Sequence, residues 1–136
     1  MLIVDAGPLY AAADRSDPDH RRCAELLTRA RGPLLVPALV VTEVTYLVGG
    51  RLGAKAELAF ARALASGELV LEPLDPSDLG RVTELVEQYL HLPLGIADAS
   101  VVALAERLEA TTLATLDRRH FSAVRPRHAP AFDLLP

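Results

Sequence analysis

The chain has 136 residues, of which 51% are hydrophobic and only 4% aromatic, and its formal net charge is −4. This length fits one domain, residues 1–136, whose core must be built from aliphatic side chains. The negative charge argues against a broad nucleic-acid-binding surface. The single cysteine excludes an internal disulfide, and no apolar run is long enough to span a membrane. Because the N-terminus also lacks the features of a secretory signal, we expect a cytoplasmic protein.

Short strand-like runs alternate with helical segments along the chain. Strands are predicted at residues 2–5, 34–37, 69–71, 113–116 and 131–135, and helices near residue 7, over 18–30, 40–48 and 52–65, from about 76, and over 96–109. Asp17 and Pro18 are typical of a helix start, and Gly49-Gly50 is expected to end the third helix. This alternation predicts an α/β fold with a parallel sheet covered on both faces.

Four carboxylates lie beside apolar segments, where an isolated charge is costly. Asp5 ends the first strand, Glu43 interrupts a long apolar run, Asp98 lies in the first turn of a helix, and Asp117 follows the fourth strand. Ligands of parallel α/β sheets gather at the carboxyl ends of the strands, so we expect the four acids to converge there. Because Mg²⁺ and Mn²⁺ suit oxygen ligands, such a group can hold one or two of these ions.

Each acid also has a structural explanation when it is considered alone. Asp5 can cap a helix, Asp98 can interact with the helix dipole, and Asp117 can be a turn residue. Glu43 can pair with a buried arginine. Four independent explanations at one edge of the sheet are less convincing than one shared site.

The histidines and the cysteine do not extend this group of acids in the sequence. No His or Cys accompanies the acids at the spacing of zinc ligands, so a zinc hydrolase is not expected. His120 and His128 are interpreted as surface or packing residues, and Cys23 as a buried inert thiol. Core packing is likewise expected for Tyr46 and Leu47, although these two can also belong to a partner groove.

Four segments that contain the acids resemble, in order, the motifs of PIN domains. They are residues 4–9, 36–44, 92–99 and 115–121. The compact arrangement is most similar to the VapC-type toxins of bacterial toxin–antitoxin systems. This resemblance implies a three-layer α/β/α PIN-like domain with a central, mostly parallel sheet of four to five strands. It also implies a Mg²⁺-dependent endoribonuclease, with Mn²⁺ as a substitute ion, that acts as the toxin of a type II pair.

The resemblance further implies a role for each acid. Asp5, Asp98 and Asp117 would be metal ligands, and Glu43 would bind the metal directly or through water, or orient the attacking water. Thr115 would position a water molecule or Asp117, although a strand hydroxyl with a satisfied hydrogen bond is an equally good explanation.

The residues after the last acid are basic in this chain. Some relatives carry a further acid there, where this chain has Arg118, Arg119 and His120, which leaves open whether one or two metals bind. Arg118 and Arg119 are candidate contacts to RNA phosphates, and a solvated loop is the alternative. The likeness also implies a cognate antitoxin that covers the acidic site, and a homodimer.

Two other functions remain open at this stage. A haloacid-dehalogenase-type phosphatase, another Mg²⁺-dependent phosphoryl-transfer hydrolase, also places an Asp after its first strand. It needs a second Asp two residues later, where this chain has Gly7. The other alternative is a PIN-like fold without nuclease activity that serves as a binding module.

Overall fold

The computed structural model describes every residue from Met1 to Pro136 and contains a five-stranded sheet with seven helices. The strands are β1 (Leu2–Val4), β2 (Leu34–Pro37), β3 (Val70–Glu72), β4 (Thr112–Ala114) and β5 (Asp133–Leu135). The helices are α1 (Ala6–Ala13), α2 (His20–Arg29), α3 (Ala38–Leu52), α4 (Ala54–Ser66), α5 (Pro76–Gln88), α6 (Ile96–Arg107) and α7 (Arg118–Ala123). None of the helices is both long and apolar enough to cross a lipid bilayer.

All five strands are parallel, in the order β3-β2-β1-β4-β5. In the central strand, Ile3 pairs with Leu35 of β2 on one side and with Leu113 of β4 on the other. The chain moves in one direction from β1 to β3 and then crosses back to β4. Right-handed connections therefore place helices on both faces of the sheet, which confirms the predicted three-layer α/β/α fold. The strand order reverses between β1 and β4, where such folds bind their ligands.

The core is aliphatic, as the composition predicts. The residues of β1 and β2 are all buried, and in α6 every residue from Ala99 to Ala105 is buried. A helix that is apolar on all sides must lie inside the protein, and α6 packs against α5 and also contacts α3 and β2. Cys23 is fully buried, which confirms the predicted burial of its thiol.

Two local predictions were wrong, and a third segment has structure that the sequence pattern did not indicate. Helix α2 begins at His20, because Asp17 forms a turn in which its side chain accepts the Asp19 N–H at 2.8 Å and its carbonyl accepts the His20 N–H at 3.0 Å. The side chain of Tyr46 does not pack in the core but is 82% exposed. The basic segment after residue 117 contains the short helix α7, whose Phe121 is fully buried.

The end of α3 was also placed wrongly by the sequence pattern. The helix continues through Gly49-Gly50 and ends before Gly53, whose φ of +89° favours glycine. A Cβ atom on Gly49 would lie 2.7 Å from Oε2 of Glu57 in α4. Gly49 therefore allows close packing of the Glu57 side chain against α3 and does not end the helix.

Candidate metal centre

Asp5 and Thr115 lie side by side where β1 and β4 end. Asp5 is only 8% exposed and occupies the N-cap position of α1, yet its side chain makes no capping hydrogen bond. The hydroxyl of Thr115 instead donates a hydrogen bond to Oδ2 of Asp5 at 2.9 Å. The same hydroxyl oxygen accepts the backbone N–H of Asp117 at 3.0 Å. The buried Thr115 thus links two of the acids, and helix capping does not account for Asp5.

Gly7 allows α1 to approach the loop that carries Asp117. A Cβ atom on Gly7 would lie 3.3 Å from Cβ of Leu116, which is closer than ordinary van der Waals contact. A larger residue at this position would push α1 away from the end of β4. The close approach of these two segments keeps Asp5 and Asp117 on the same part of the sheet edge.

Asp117 occupies the N-cap position of α7, and His120 contacts both of its carboxylate oxygens. The backbone N–H of His120 donates to Oδ1 of Asp117 at 3.0 Å, and Nδ1 of its ring lies 2.5 Å from Oδ2. Asp117 therefore does have the local role expected of a turn residue. The orientation of its carboxylate is fixed by this pair of contacts.

Asp98 projects from the first turn of α6 toward the same place. One carboxylate oxygen each from Asp98 and Asp117 and one ring nitrogen of His120 lie within 4.8 Å of one another. All three residues are partly buried. His120 therefore lies beside two of the acids, although the sequence has no His at the spacing of zinc ligands.

Glu43 lies in the second turn of α3 and is the most exposed of the four acids. It forms no ion pair, so the alternative of a buried arginine partner was wrong. Partial desolvation raises the pKa of Glu43 despite this exposure, and the charge of Asp5 raises it further. Glu43 is therefore close enough to the other acids to experience their charge.

The carboxylates of the site are poorly neutralised. Burial raises the pKa of Asp98 to about 6, and the charges of Asp5 and Asp117 add to this effect. The positive end of α6 favours the ionised form of a first-turn acid, but it does not outweigh burial and charge repulsion. Burial also raises the pKa of Asp5, against the opposing influence of the Ala6 N–H and the Thr115 hydroxyl. Such a cluster of acids with raised pKa values is typical of a functional site.

The basic residues near the site contact different parts of the chain. Arg118 donates hydrogen bonds to the carbonyl oxygens of Leu134 and Pro136 at 3.3 and 2.6 Å. Arg119 contacts the carbonyl oxygen of Leu92 at 3.5 Å, and Arg127 pairs with Glu84 at 2.6 Å. The side chains of Arg118 and Arg119 are nevertheless exposed and have further N–H donors. Their role in binding phosphates stays a prediction.

The donor set of this site suits a hard divalent cation. Carboxylate oxygens from Asp98 and Asp117 lie close together, and Asp5 is linked to Asp117 through the Thr115 hydroxyl. Magnesium and manganese both bind such oxygen ligands and retain several waters. A bound cation would also offset the burial and the charge repulsion that together raise the pKa of Asp98. The residues therefore fit a metal ion of this class.

The relationship to known proteins agrees with this fold. A family model described as the PIN domain matches residues 2–125. Ribonuclease VapC26 of Mycobacterium tuberculosis (strain ATCC 25618 / H37Rv) is 39% identical over 135 residues, which cover 99% of this chain and 100% of that protein. This chain therefore belongs to the PIN-domain family and resembles its VapC-type members over nearly its whole length.

Two solved structures share the fold at low sequence identity. The crystal structure of VapC20 from Mycobacterium tuberculosis, described as a toxin that cleaves the sarcin–ricin loop, superposes with a TM-score of 0.77 and 18% identity. The match covers 83% of this chain and 87% of that one. FitAcB from Neisseria gonorrhoeae superposes with a TM-score of 0.72 and 16% identity over 100% of this chain and 97% of the other. These likenesses confirm the predicted PIN-like architecture.

Proposed function

We propose that this protein is a metal-dependent endoribonuclease and the toxin of a type II toxin–antitoxin pair, formed by a single domain of residues 1–136. The observation that carries this proposal is the cluster of poorly neutralised acids at the carboxyl edge of a PIN-domain sheet. Support for RNA as the substrate comes from the relative that is named a ribonuclease.

We assign Asp5, Asp98 and Asp117 as the residues that hold Mg²⁺, or Mn²⁺ in its place. When bound there, such an ion lowers the pKa of a water molecule and stabilises negative charge on the leaving oxygen of a phosphodiester. All three carboxylates must be ionised for binding. Since the pKa of Asp98 is raised to about 6, metal affinity should fall as the pH drops below this value.

The remaining residues of the site would position the reactants. Thr115 holds the Asp5 carboxylate by one hydrogen bond and the backbone of Asp117 by another. Glu43 has no ion-pair partner and lies within the electrostatic influence of Asp5, so its carboxylate is free to orient the attacking water. In the alternative role that we propose for Glu43, its carboxylate binds the ion directly or through a water molecule.

The surface around the site would receive the substrate and a protein partner. Exposed Arg118 and Arg119 would contact RNA phosphates as the strand enters the acidic site. We propose a cognate antitoxin that covers this site, a homodimer as the assembled form, and a cytoplasmic location. Tyr46, which is 82% exposed on the same helix as Glu43, is a candidate contact for one of these partners.

RNA cleavage by the purified protein, freed of antitoxin, tests the proposed activity. Cleavage should require Mg²⁺ or Mn²⁺ and should be lost in Asp5→Ala and in Asp98→Ala. Asp19→Ala is a matched control, because Asp19 lies at the N-cap position of α2 and its only ion pair is with the exposed Arg22. Equal cleavage by the wild type and both site variants would show that the acids are not the active site.

Metal binding separates the nuclease from the two other functions. Mg²⁺ or Mn²⁺ should raise the melting temperature of the wild type, and Asp5→Asn or Asp98→Asn should weaken this rise. No rise at millimolar metal, together with no RNA cleavage, would favour a catalytically silent binding module. Metal binding with hydrolysis of a small phosphate ester but not of RNA would favour another Mg²⁺-dependent phosphoryl-transfer hydrolase.

A further inference from the structure

We propose that His120 supplies a nitrogen ligand to the bound metal ion, and that the site consequently prefers Mn²⁺ to Mg²⁺. This inference rests on the proposed metal-dependent function. It adds a residue to the three carboxylates assigned above, and it specifies which ion this chain binds more tightly.

The first support for this proposal is the spacing of the donor atoms. Ligands of an octahedral ion at about 2.1 Å lie about 3 Å apart when adjacent and about 4.2 Å apart when opposite. The donor atoms of Asp98, Asp117 and His120 lie within 4.8 Å of one another. Small rotations of the side chains would therefore bring all three atoms into one coordination shell.

The second support is that the imidazole of His120 is already held beside the acids. Its backbone N–H is bound to Asp117, and the next residue, Phe121, is fully buried and anchors α7 in the core. The segment after α7 is bound to the end of α5, because the N–H of Arg125 donates to the hydroxyl of Tyr89 at 3.1 Å. Since α7 is fixed at both ends, the ring loses little conformational freedom when it binds a metal.

The third support is the chemistry of the donor set. A neutral imidazole offers one lone pair, and its nitrogen suits transition ions better than Mg²⁺, which takes oxygen ligands almost exclusively. Mn²⁺ suits carboxylate and water ligands as Mg²⁺ does, but as a transition ion it also accepts a nitrogen ligand. In a site with Asp98, Asp117 and His120, the carboxylates can therefore bind either ion, and the imidazole nitrogen favours Mn²⁺.

Pulsed electron paramagnetic resonance of Mn²⁺ bound to the full chain tests the proposal without any measurement of activity. The wild type should show coupling between the manganese and a ¹⁴N nucleus, and His120→Asn should lose it while it keeps a side-chain N–H for Asp117. His91→Asn is the matched control, because His91 is exposed and lies outside the cluster. Labelling of histidine with ¹⁵N in the wild type should change the coupling, which gives the same information if the variant does not fold.

Calorimetric titration with Mn²⁺ and with Mg²⁺ tests the ion preference. His120→Asn should weaken Mn²⁺ binding about tenfold or more and change Mg²⁺ binding much less. Bound Mn²⁺ without nitrogen coupling would overturn the role of His120 and leave the proposed nuclease function intact. Equal losses for both ions would overturn the preference, since they would indicate that His120 only positions Asp117. No binding of Mn²⁺ by the wild type would overturn both proposals.

Discussion

Two groups of acids in this protein differ in whether their carboxylates are paired with arginine. The acids of the candidate metal centre, Asp98 among them, have no arginine or lysine partner. The second group lies along α5 and α6, where each of the acids Asp78, Glu84 and Glu106 pairs with an arginine. Both groups contain partly or fully buried carboxylates, so burial alone does not distinguish them.

The pKa values of Glu106 and Asp98, one acid from each group, shift in opposite directions. Burial would raise the pKa of Glu106, but hydrogen bonds from Arg81 and from the N–H of Arg127 outweigh it and lower the pKa. Arg81 reaches Glu106 through Nε at 2.7 Å and Nη2 at 2.9 Å, which is a bidentate pair. At Asp98 no such partner exists, and the pKa is raised to about 6. An unpaired buried acid thus costs stability, which is typical of a residue kept for binding.

The largest effect is expected when the paired group is broken. Arg81→Met should lower the free energy of unfolding by about 2–4 kcal/mol, because it leaves the buried carboxylate of Glu106 without its main partner. The side chains of Arg81 and Glu106 are only 13% and 10% exposed. Denaturant titration measures the change, with Arg21→Met as the control. Arg21 pairs with Glu25 at the surface, so its loss should change stability by less than about 0.5 kcal/mol.

Replacing an acid by its neutral amide should change the free energy of unfolding in opposite directions in the two groups. Asp98→Asn should raise the stability of the metal-free protein at pH 7.5 by about 1–2 kcal/mol after allowance for partial exposure, because it removes a charge that folding disfavours. Glu106→Gln should instead lower stability, since Arg81 loses its charged partner. The free energy of unfolding in the absence of metal is the measurement. A loss of stability in both variants would contradict the distinction between the groups.

The contribution of Asp98 to stability should depend on pH in a defined window. The folded-state pKa of Asp98 is about 6 and the ordinary value is 3.8, so the folded state holds the proton more tightly in this range. Asp98 should therefore make the metal-free protein less stable as the pH rises from about 4, through the folded-state pKa, to about 7, with little further change above. The difference in unfolding free energy between the wild type and Asp98→Asn should follow this curve. A flat difference would contradict the raised pKa.

The positions of the acids in the sequence predicted the general location of the site well. The ends of β1 and β4 could be predicted because the apolar residues of each segment stop at an acid. These acids are Asp5 after β1 and Asp117 directly after Thr115-Leu116. The position of Asp98 in the first turn of a helix could also be predicted from the sequence. The parallel sheet follows from the alternation of elements, and the same reasoning brings these acids to one edge.

Other features depend on tertiary packing and were missed. The sequence offers one signal for His120, an Asp followed three residues later by His, which is the spacing at which an N-cap residue contacts the third residue of a helix. That signal was hidden because α7 is only six residues long and looks like a basic loop. The exposure of Tyr46 was also missed, because an aromatic residue in an apolar run normally packs inward.

A smaller effect is expected from the hydrogen bond between Thr115 and Asp5 in the candidate metal centre. Thr115→Val should lower stability by about 1–2 kcal/mol, since the buried Asp5 carboxylate loses a donor and the Asp117 N–H loses an acceptor. It should also raise the pKa of Asp5, because the Thr115 hydroxyl lowers that pKa in the wild type. Thr115→Ser keeps the hydroxyl and should restore the pKa. Carboxyl ¹³C chemical shifts measured against pH follow Asp5 directly, and identical titration curves for the two variants would contradict this role.

The smallest effect concerns Arg118 and Arg119 beside the candidate metal centre, whose charges are not paired with either group of acids. Arg118→Ala combined with Arg119→Ala should weaken RNA binding and reduce the slope of log K against log salt by about 1.4, as two phosphate contacts to a single strand are lost. Metal binding should be unchanged, because neither side chain contacts an acid of the site. Arg127→Ala is the control, since Arg127 is paired with Glu84 in the other group. An unchanged slope in the double variant would assign Arg118 and Arg119 to holding backbone carbonyls and not to binding RNA.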